Sequence, residues 1–193
     1  MALDDQIKWD KLHAGPRAAD EPSAFLKIIF EQFGSILSPG RALDIACGRG
    51  RNSFFLAERG WEVEAMDVSE VALEKTRKRA EQKNLSVTVT RADLDQADLP
   101  RQAYELIINF NFLQRLLIPR IKDALKIGGY VIFETFLIDQ QTLGHPRNPA
   151  FLLGHNELLE HFRGFRVLSY REGKFADGGQ KAFRAGIFAQ KVS

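Results

Sequence analysis

The residues best suited to chemistry in this chain follow a short apolar run, in the stretch ALDIACGRGRN. Asp44 comes first, and Gly48 and Gly50 then open a turn of small residues. A loop that holds a dinucleotide pyrophosphate has three glycines in the pattern GxGxxG, whereas here Ser53 replaces the third glycine. Asp44 would repel a diphosphate and would attract an ammonium or sulfonium group by several kcal/mol in a partly dry site. The loop therefore favours a ligand with a cationic segment and no phosphates.

Two further acids follow at intervals that suit a nucleoside. Asp67 comes roughly twenty residues after the loop, where an acid accepts both hydroxyls of a ribose. Asp93 can accept the exocyclic amine of an adenine while Leu94 covers the ring. A nucleoside with an amino-acid tail satisfies all three acids, which predicts S-adenosylmethionine (SAM) as the ligand. Each acid alone also fits a turn residue or a helix cap, and their order and spacing together favour the ligand.

These separated residues need a scaffold that brings them together, and strand-like segments alternate with helix-like ones along the chain. Apolar and β-branched runs predict five strands in RALDIA, WEVEAMDV, LSVTVTRAD, YELIINF and YVIFETF, and then a hairpin from FRVLSYREGKF and KAFRAGIFAQKV. Helical spacing predicts helices in EPSAFLKIIFEQFGSILSPG, RNSFFLAERG, SEVALEKTRKRAEQK (with Ser69 as N-cap), PRIKDALKIGG and HNELLEHFRG. The weakly periodic run 137–154 predicts a loop that shapes a pocket.

This alternation predicts an α/β fold with a mostly parallel sheet and right-handed crossovers. In such a sheet, ligands bind at the carboxyl ends of the strands. Four polar residues fall at predicted strand ends: Asp44, Asp67, Asp93 and Asn109.

Composition narrows the class of protein. A chain of 193 residues with 45% hydrophobic and 27% charged residues fits one globular domain. A net charge of +2 gives no electrostatic case for a nucleic-acid or membrane partner. One cysteine, Cys47, excludes an intramolecular disulfide, and the four histidines lack metal-ligand spacing, so we expect no metal. The first ten residues have no apolar core of a secretory signal, and we expect a cytoplasmic protein, monomeric or homodimeric.

The stretch LDIACGRGRNSFFLAERGWEVEAMDVS resembles the first motif and second strand of class I SAM-dependent methyltransferases, and most of all the small tellurite-resistance-type (TehB-like) members. Similar family segments are ADLDQADLP, LKIGGYVIFETF, NPAFLLGHNELLEHFRGFRVLSYREGKF and, at the N-terminus, KWDKLH followed by PSAFL. The resemblance implies a Rossmann-like fold with a seven-stranded sheet, an antiparallel C-terminal hairpin and helices on both faces. It also implies one domain, with lead-in or lid helices in 1–38 and the sheet core in 41–193.

The resemblance also implies where the cofactor binds. The glycine loop would surround the methionine part, the end of the second strand would hold the ribose, and the end of the third would hold the adenine. The implied cofactor-binding residues are Asp44, Ala46, Gly48, Gly50, Arg51, Asn52, Asp67, Val68, Asp93, Leu94 and Asn109.

The sequence says less about the part of the site that would hold the methyl acceptor. The candidates for catalysis are Asn109, Arg115 and His145, and those for the substrate pocket are Trp9, His13, Asn111, Phe112 and Glu134. Phe112 also fits a core position, Arg115 a surface position and His145 a turn. The tellurite-type members carry a His-Arg pair in the final hairpin, whereas the corresponding stretch here has Lys174, Lys181 and Arg184 but no histidine.

The favoured hypothesis is methyl transfer from SAM to a small-molecule acceptor, such as a thiol, a chalcogen oxyanion or another small metabolite. Two alternatives stay open. A protein that binds SAM or S-adenosylhomocysteine as a regulator or partner subunit, without turnover, would need the same cofactor residues. A nicotinamide-dependent reductase is suggested by the partial Gly-x-Gly pattern, and Asp44 and Ser53 argue against it.

Overall fold

A computed structural model describes residues 2–15, 21–177 and 179–193 of the chain. The predicted lead-in 1–38 therefore lies partly outside the described residues, at position 1 and at 16–20. Across the residues described, no helix combines the length and the apolar character that crossing a membrane requires.

In the part of the chain that the structure describes, seven strands form one sheet in the order β3-β2-β1-β4-β5-β7-β6. Their bounds are β1 Arg41–Ile45, β2 Glu62–Asp67, β3 Val87–Arg91, β4 Tyr104–Phe110, β5 Leu125–Phe136, β6 Arg166–Asp177 and β7 Gln180–Gln190. The first five strands pair in parallel, while β7 pairs antiparallel with both β5 and β6. The predicted parallel sheet with an antiparallel C-terminal hairpin is confirmed.

The described residues also form six α-helices around the sheet: α1 Ala2–Ala14, α2 Ala24–Phe33, α3 Arg51–Ala57, α4 Glu70–Lys83, α5 Ile118–Ala124 and α6 Glu157–His161. The N-cap prediction for α4 is confirmed, because the Ser69 side chain accepts a hydrogen bond from Ala72 N. In the run predicted as a loop, two short 3₁₀ helices occupy Ile138–Thr142 and Pro149–Phe151.

The core lies on both faces of the sheet because neighbouring residues of a strand point to opposite sides. On β1, Leu43 belongs to the cluster that includes Ile121 of α5, whereas Ala42 belongs to the cluster that includes Leu26 and Ile29 of α2. All five side chains are buried, and this fixes β1 at the centre of the molecule.

The predicted helix in PRIKDALKIGG is wrong beyond Ala124. From Leu125 onward the chain is strand β5, and Leu125 pairs with Tyr104 of β4. The register then shifts, so that Leu106 is opposite Tyr130. Leu125 is fully buried in this position, so tertiary pairing outweighs the helical spacing of the sequence.

Candidate functional site

A cavity of about 320 Å³ opens at the carboxyl ends of β1, β2 and β4. The strand order reverses between β1 and β4, and ligands of open α/β sheets bind at such a reversal. The cavity is lined by Trp9, His13, Ala46, Cys47, Gly48, Arg49, Arg51, Asn52, Asp67, Val68, Leu94, Phe110, Asn111 and Phe112.

The glycine loop between β1 and α3 needs its two glycines for close packing. Gly48 has φ +55°, and a Cβ there would lie 3.3 Å from the His13 ring. Gly50 has φ +75°, and a Cβ there would lie 2.8 Å from a side-chain atom of Thr76 on α4. Since L side chains rarely adopt such φ values, these positions let α1 and α4 approach the loop closely.

Asp44 lies beneath the loop, and its residue is 1% exposed. The Ser53 hydroxyl donates to Asp44 Oδ2 at 2.6 Å. Burial raises the pKa of Asp44 to about 7, although the Ser53 hydrogen bond lowers it. The negative charge of Asp67 raises the pKa of Asp44 further. Asp44 does not line the cavity itself, but it lies two residues before Ala46, which does. A cation bound next to it would favour the ionised form.

Asp67, at the end of β2, lines the cavity and connects the glycine loop with Ser69, the N-cap of α4. Asp67 Oδ2 accepts from Gly48 N at 2.8 Å, and Oδ1 accepts from Ser69 N at 2.9 Å. Each carboxylate oxygen has two acceptor sites, so this side chain can fix the glycine loop and still accept hydrogen bonds from a ligand.

Beyond β3, Leu94 lines the cavity, whereas Asp93 is not among the lining residues. Asp93 Oδ1 accepts from Asp95 N at 3.1 Å, which is the short local bond by which aspartate favours a turn. The role of Asp93 in holding an adenine stays a prediction.

The segment after β4 forms the far wall. Asn111 has a left-handed φ of 59°, which asparagine tolerates better than most residues. Asn109 is buried at 1% exposure, and its amide donates to Phe112 O at 2.8 Å. Its Oδ1 has no hydrogen-bond partner in the described part of the chain. Such a buried acceptor is costly when it is left unused.

A group of charged side chains from β5, β6 and β7 lies behind this wall. Glu134 is fully buried, and Arg171 Nε donates to its Oε1 at 3.0 Å. Arg184 donates to Asn111 Oδ1, lies 3.9 Å from Glu134 Oε2 and stacks over the Phe136 ring. Glu134 is not among the lining residues. It contacts the lining residue Asn111 directly, because its backbone carbonyl accepts from Asn111 N at 2.9 Å, and also through Arg184.

The N-terminal helix supplies the outer wall through Trp9 and His13, whose rings stack at 6.0 Å between centroids. Burial lowers the pKa of His13, with the Asp67 charge opposing this effect. The imidazole is therefore mainly neutral at pH 7. Both residues line the cavity, and their role in a substrate pocket stays a prediction.

The three predicted candidates for catalysis, Asn109, Arg115 and His145, all lie outside the cavity lining. Arg115 Nε contacts Glu157 Oε1 at 2.6 Å, and its guanidinium also donates to Ala150 O and Leu152 O. It therefore fixes the segment after β5 to α6. His145 is exposed, and its carbonyl accepts from Gln140.

We expect Arg115→Ala to lower the free energy of unfolding by about 1–3 kcal/mol, because hydrogen bonds to a charged group are lost. Burial works to raise the pKa of Glu157, but the bonds from Arg115, Gly154 N and His161 outweigh it and hold the pKa at about 2. Stability from this depressed pKa is present above pH 4.5 and is lost as pH falls toward 2.

Urea denaturation of both proteins at several pH values measures this loss. The difference between wild type and Arg115→Ala should shrink as the pH is lowered. Equal stability at neutral pH would contradict the structural role of Arg115. S-adenosylhomocysteine affinity, measured alongside, should not change.

Three lining residues escaped the sequence reasoning: Cys47, Arg49 and Phe110. The first two lie between residues already assigned to the glycine loop, so their position in this loop is the signal that could have identified them. Burial raises the pKa of the Cys47 thiol well above its usual range, which agrees with a packing residue and not a nucleophile. Within the described residues, no group of three or more metal-ligating side chains comes together.

Known proteins resemble this chain in sequence and in structure. A curated relative, described as a probable S-adenosyl-L-methionine-dependent methyltransferase TehB of Haemophilus influenzae (strain ATCC 51907 / DSM 11121 / KW20 / Rd), is 29% identical over 144 residues. This match covers 71% of the chain and 50% of the relative, so the chain spans about half the length of the curated protein.

Solved structures share the fold. The crystal structure of TehB from Haemophilus influenzae aligns with a TM-score of 0.73 at 24% identity, covering 83% of this chain and 60% of that one. A geranyl diphosphate C-methyltransferase from Streptomyces coelicolor A3(2), crystallised with Mg²⁺, geranyl diphosphate and S-adenosyl-L-homocysteine, aligns with a TM-score of 0.66 at 16% identity. That alignment covers 88% of this chain and 80% of that one.

The family model described as "Tellurite resistance protein TehB" matches residues 29–179, which is more than three quarters of the chain. The matched span runs from α2 to the end of β6 and includes the glycine loop, Asp67 and Leu94. With its sheet order, its cavity and this match taken together, the chain belongs to the TehB family.

Proposed function

We propose that this protein transfers a methyl group from SAM to a small-molecule acceptor, with residues 41–193 as the catalytic core and α1 over the cofactor. The observation that carries the proposal is the pair Asp44 and Asp67 on either side of a glycine loop, at the point where the strand order reverses. The similarity to TehB of Haemophilus influenzae, described as a probable methyltransferase, and to a solved C-methyltransferase supports the proposal.

The residues present fit this cofactor. Asp67 would accept the ribose hydroxyls, and Val68 and Leu94 offer apolar walls for the adenine. Asp44 is a buried acid whose pKa is raised to about 7 by burial, and a neighbouring ammonium or sulfonium would stabilise its charge. The remaining proposed cofactor residues are Ala46, Gly48, Gly50, Arg51, Asn52, Asp93 and Asn109.

When bound, SAM supplies an activated methyl group on a positively charged sulfur. The residues around the cofactor would have to orient its methyl group toward the acceptor and to exclude water. Phe110 and Phe112 form apolar parts of the wall after β4. The buried Asn109 side chain lies outside the cavity lining and donates to Phe112 O, which holds this wall in place. Alignment of this kind can supply roughly 7–11 kcal/mol of a barrier.

For the acceptor we propose a thiol, a chalcogen oxyanion or another small metabolite. Two observations support a nucleophile that needs little help from a base. Arg115 and His145 lie outside the cavity lining, whereas Arg184 reaches the lining residue Asn111. A guanidinium near the acceptor end favours groups with negative charge. Among the lining residues, the neutral His13 is the side chain able to take up a proton near pH 7.

Two measurements test the proposal. The first is calorimetric titration of the protein with S-adenosylhomocysteine, which we expect to bind saturably with one site per chain. The second follows radiolabelled SAM in the presence of small thiols, tellurite and selenite. Methyl transfer to any of them would establish turnover. Binding without transfer to a broad set of acceptors would favour the regulator without turnover, and absence of binding would refute the proposal.

A further inference from the structure

Helix α1 is attached to the rest of the protein by polar contacts. None of its described side chains, from Gln6 to Ala14, is buried, and Ile7 and Leu12 are 59% and 61% exposed. Helices of globular proteins usually gain their stability from an apolar face packed on a core. Because this helix has no buried face among the described residues, its position must depend on specific hydrogen bonds.

The first of these bonds come from Asp10 to the start of α4. Asp10 Oδ1 accepts from the Ser69 hydroxyl at 2.6 Å and from Val71 N at 3.2 Å. Val71 N is one of the backbone donors that a helix N-terminus leaves unused. A negative charge there also interacts favourably with the helix dipole. Asp10 thus caps a helix that belongs to a different part of the chain.

Two cations hold the C-terminal end of α1, one turn after Asp10. Lys75 Nζ, from α4, and the Arg49 guanidinium, from the glycine loop, each donate to His13 O at 2.5 Å. Arg49 also donates to Gly15 O at 2.8 Å. The carbonyls at the end of α1 therefore contact the glycine loop directly.

The bond from Asp10 to Ser69 connects α1 with the carboxylate that lines the cavity. The Ser69 side chain donates to Asp10, while Ser69 N donates to Asp67 Oδ1. The other oxygen of Asp67 accepts from Gly48 N. One chain of hydrogen bonds therefore runs from α1 through Ser69 and Asp67 to the glycine loop.

We propose that Asp10 is a positioning residue that fastens α1 as a lid across the cavity, so that Trp9 and His13 close over the bound cofactor. The proposal rests on the proposed function for the identity of that cofactor. Asp10 acts through Ser69 and does not line the cavity itself. Loss of the Asp10 contact loosens the lid, while Arg49 and Lys75 still hold the carbonyls at its end. The proposed cofactor-binding groups of the sheet stay in place.

The chain has two tryptophans, Trp9 and the buried Trp61, so Trp61→Phe leaves Trp9 as the reporter of the lid. In this background, Asp10→Ala is compared with Asp10→Asn, which keeps an acceptor oxygen, and with Lys11→Ala, which changes an exposed residue of the same helix. Acrylamide quenching of Trp9 is measured with and without S-adenosylhomocysteine. The dissociation rate of the ligand is measured by displacement, in the Trp61→Phe proteins and in proteins that retain Trp61.

We expect Asp10→Ala to release S-adenosylhomocysteine about tenfold faster than Lys11→Ala, with Asp10→Asn between them. We also expect the ligand to shield Trp9 from acrylamide in the Lys11→Ala protein and not in Asp10→Ala. The melting temperature of the ligand-free variants should agree within ~2 °C, since α1 buries little.

A dissociation rate for Asp10→Ala within about twofold of Lys11→Ala would overturn the proposal. Equal shielding of Trp9 in the two variants would overturn it as well. If the wild-type protein itself does not bind S-adenosylhomocysteine, the proposed function fails and this inference fails with it. Binding by wild type with no effect of Asp10→Ala refutes the lid contact alone.

Discussion

Asp67→Ala is expected to weaken the binding of S-adenosylhomocysteine by about a hundredfold, since hydrogen bonds to a charged carboxylate contribute about 1.5–3 kcal/mol each. The carboxylate lines the cavity and would accept the two ribose hydroxyls. It also fixes Gly48 N at 2.8 Å, so part of the loss would come from a less ordered glycine loop. Calorimetric titration at neutral pH measures the affinity.

Asp67→Asn and Asp123→Ala serve as the comparisons for this variant. The asparagine keeps one acceptor oxygen and should lose less affinity than the alanine. Asp123 is 58% exposed in its side chain and lies on α5, away from the cavity lining, so its replacement should leave binding unchanged. Affinity of Asp67→Ala within about threefold of wild type would exclude the ribose role.

Asp44→Asn should have opposite effects on stability and on binding. The pKa of Asp44 is raised from 3.8 to about 7, first by burial and then by the Asp67 charge, against the Ser53 hydrogen bond and the Arg51 charge. A raised pKa means that folding favours the protonated form. Its contribution to stability is full below pH 3.8 and is lost as pH rises toward 7. Above pH 7 the ligand-free wild type therefore carries a buried charge at a cost in stability.

Asparagine fits the same space and can accept the Ser53 hydroxyl bond without the charge. We expect ligand-free Asp44→Asn to be more stable than wild type at pH 8, by on the order of 2–4 kcal/mol, and to lose this advantage toward pH 4. Urea denaturation across this range checks the expectation. A constant difference at all pH values would contradict the buried titrating group.

The same substitution should weaken the binding of SAM more than the binding of S-adenosylhomocysteine, because only SAM carries the sulfonium charge. We expect a loss of about tenfold or more for SAM. Wild type should also release a proton when it binds SAM near pH 7, seen as a dependence of the calorimetric heat on the ionisation enthalpy of the buffer. Equal losses for both ligands would exclude a specific interaction with the sulfonium. A more stable variant with poorer binding is the exchange often found at functional sites.

Local sequence was sufficient for some parts of this molecule. The β-branched and apolar runs predicted the strands, and Ser69 was correctly assigned as the cap of α4. These features depend on residues close together in the chain. The carboxyl ends of parallel strands meet at one edge of a sheet for geometric reasons, which is why Asp67 and Leu94 line the same cavity although they are far apart in the chain.

Other features depend on contacts between distant residues. β5 begins at Leu125 because of its pairing with Tyr104, which helical spacing cannot reveal. Arg115 follows β4 at a position typical of substrate residues, yet Glu157 and two distant carbonyls take up its donors. Arg49 contacts His13 O at the end of α1, more than thirty positions earlier in the chain. The type of neither residue indicates this partner.

The cavity lining has a consequence for how such a protein can change. Among the described residues, every lining residue falls between Trp9 and Phe112, although the chain continues through α5, α6 and the final hairpin to residue 193. The later part contacts this wall at Asn111, through the Arg184 side chain and the backbone carbonyl of Glu134. The two halves can therefore diverge at different rates. Under the proposed function, changes in the hairpin and its loops would alter the acceptor preference while the half proposed to bind the nucleoside is inherited unchanged.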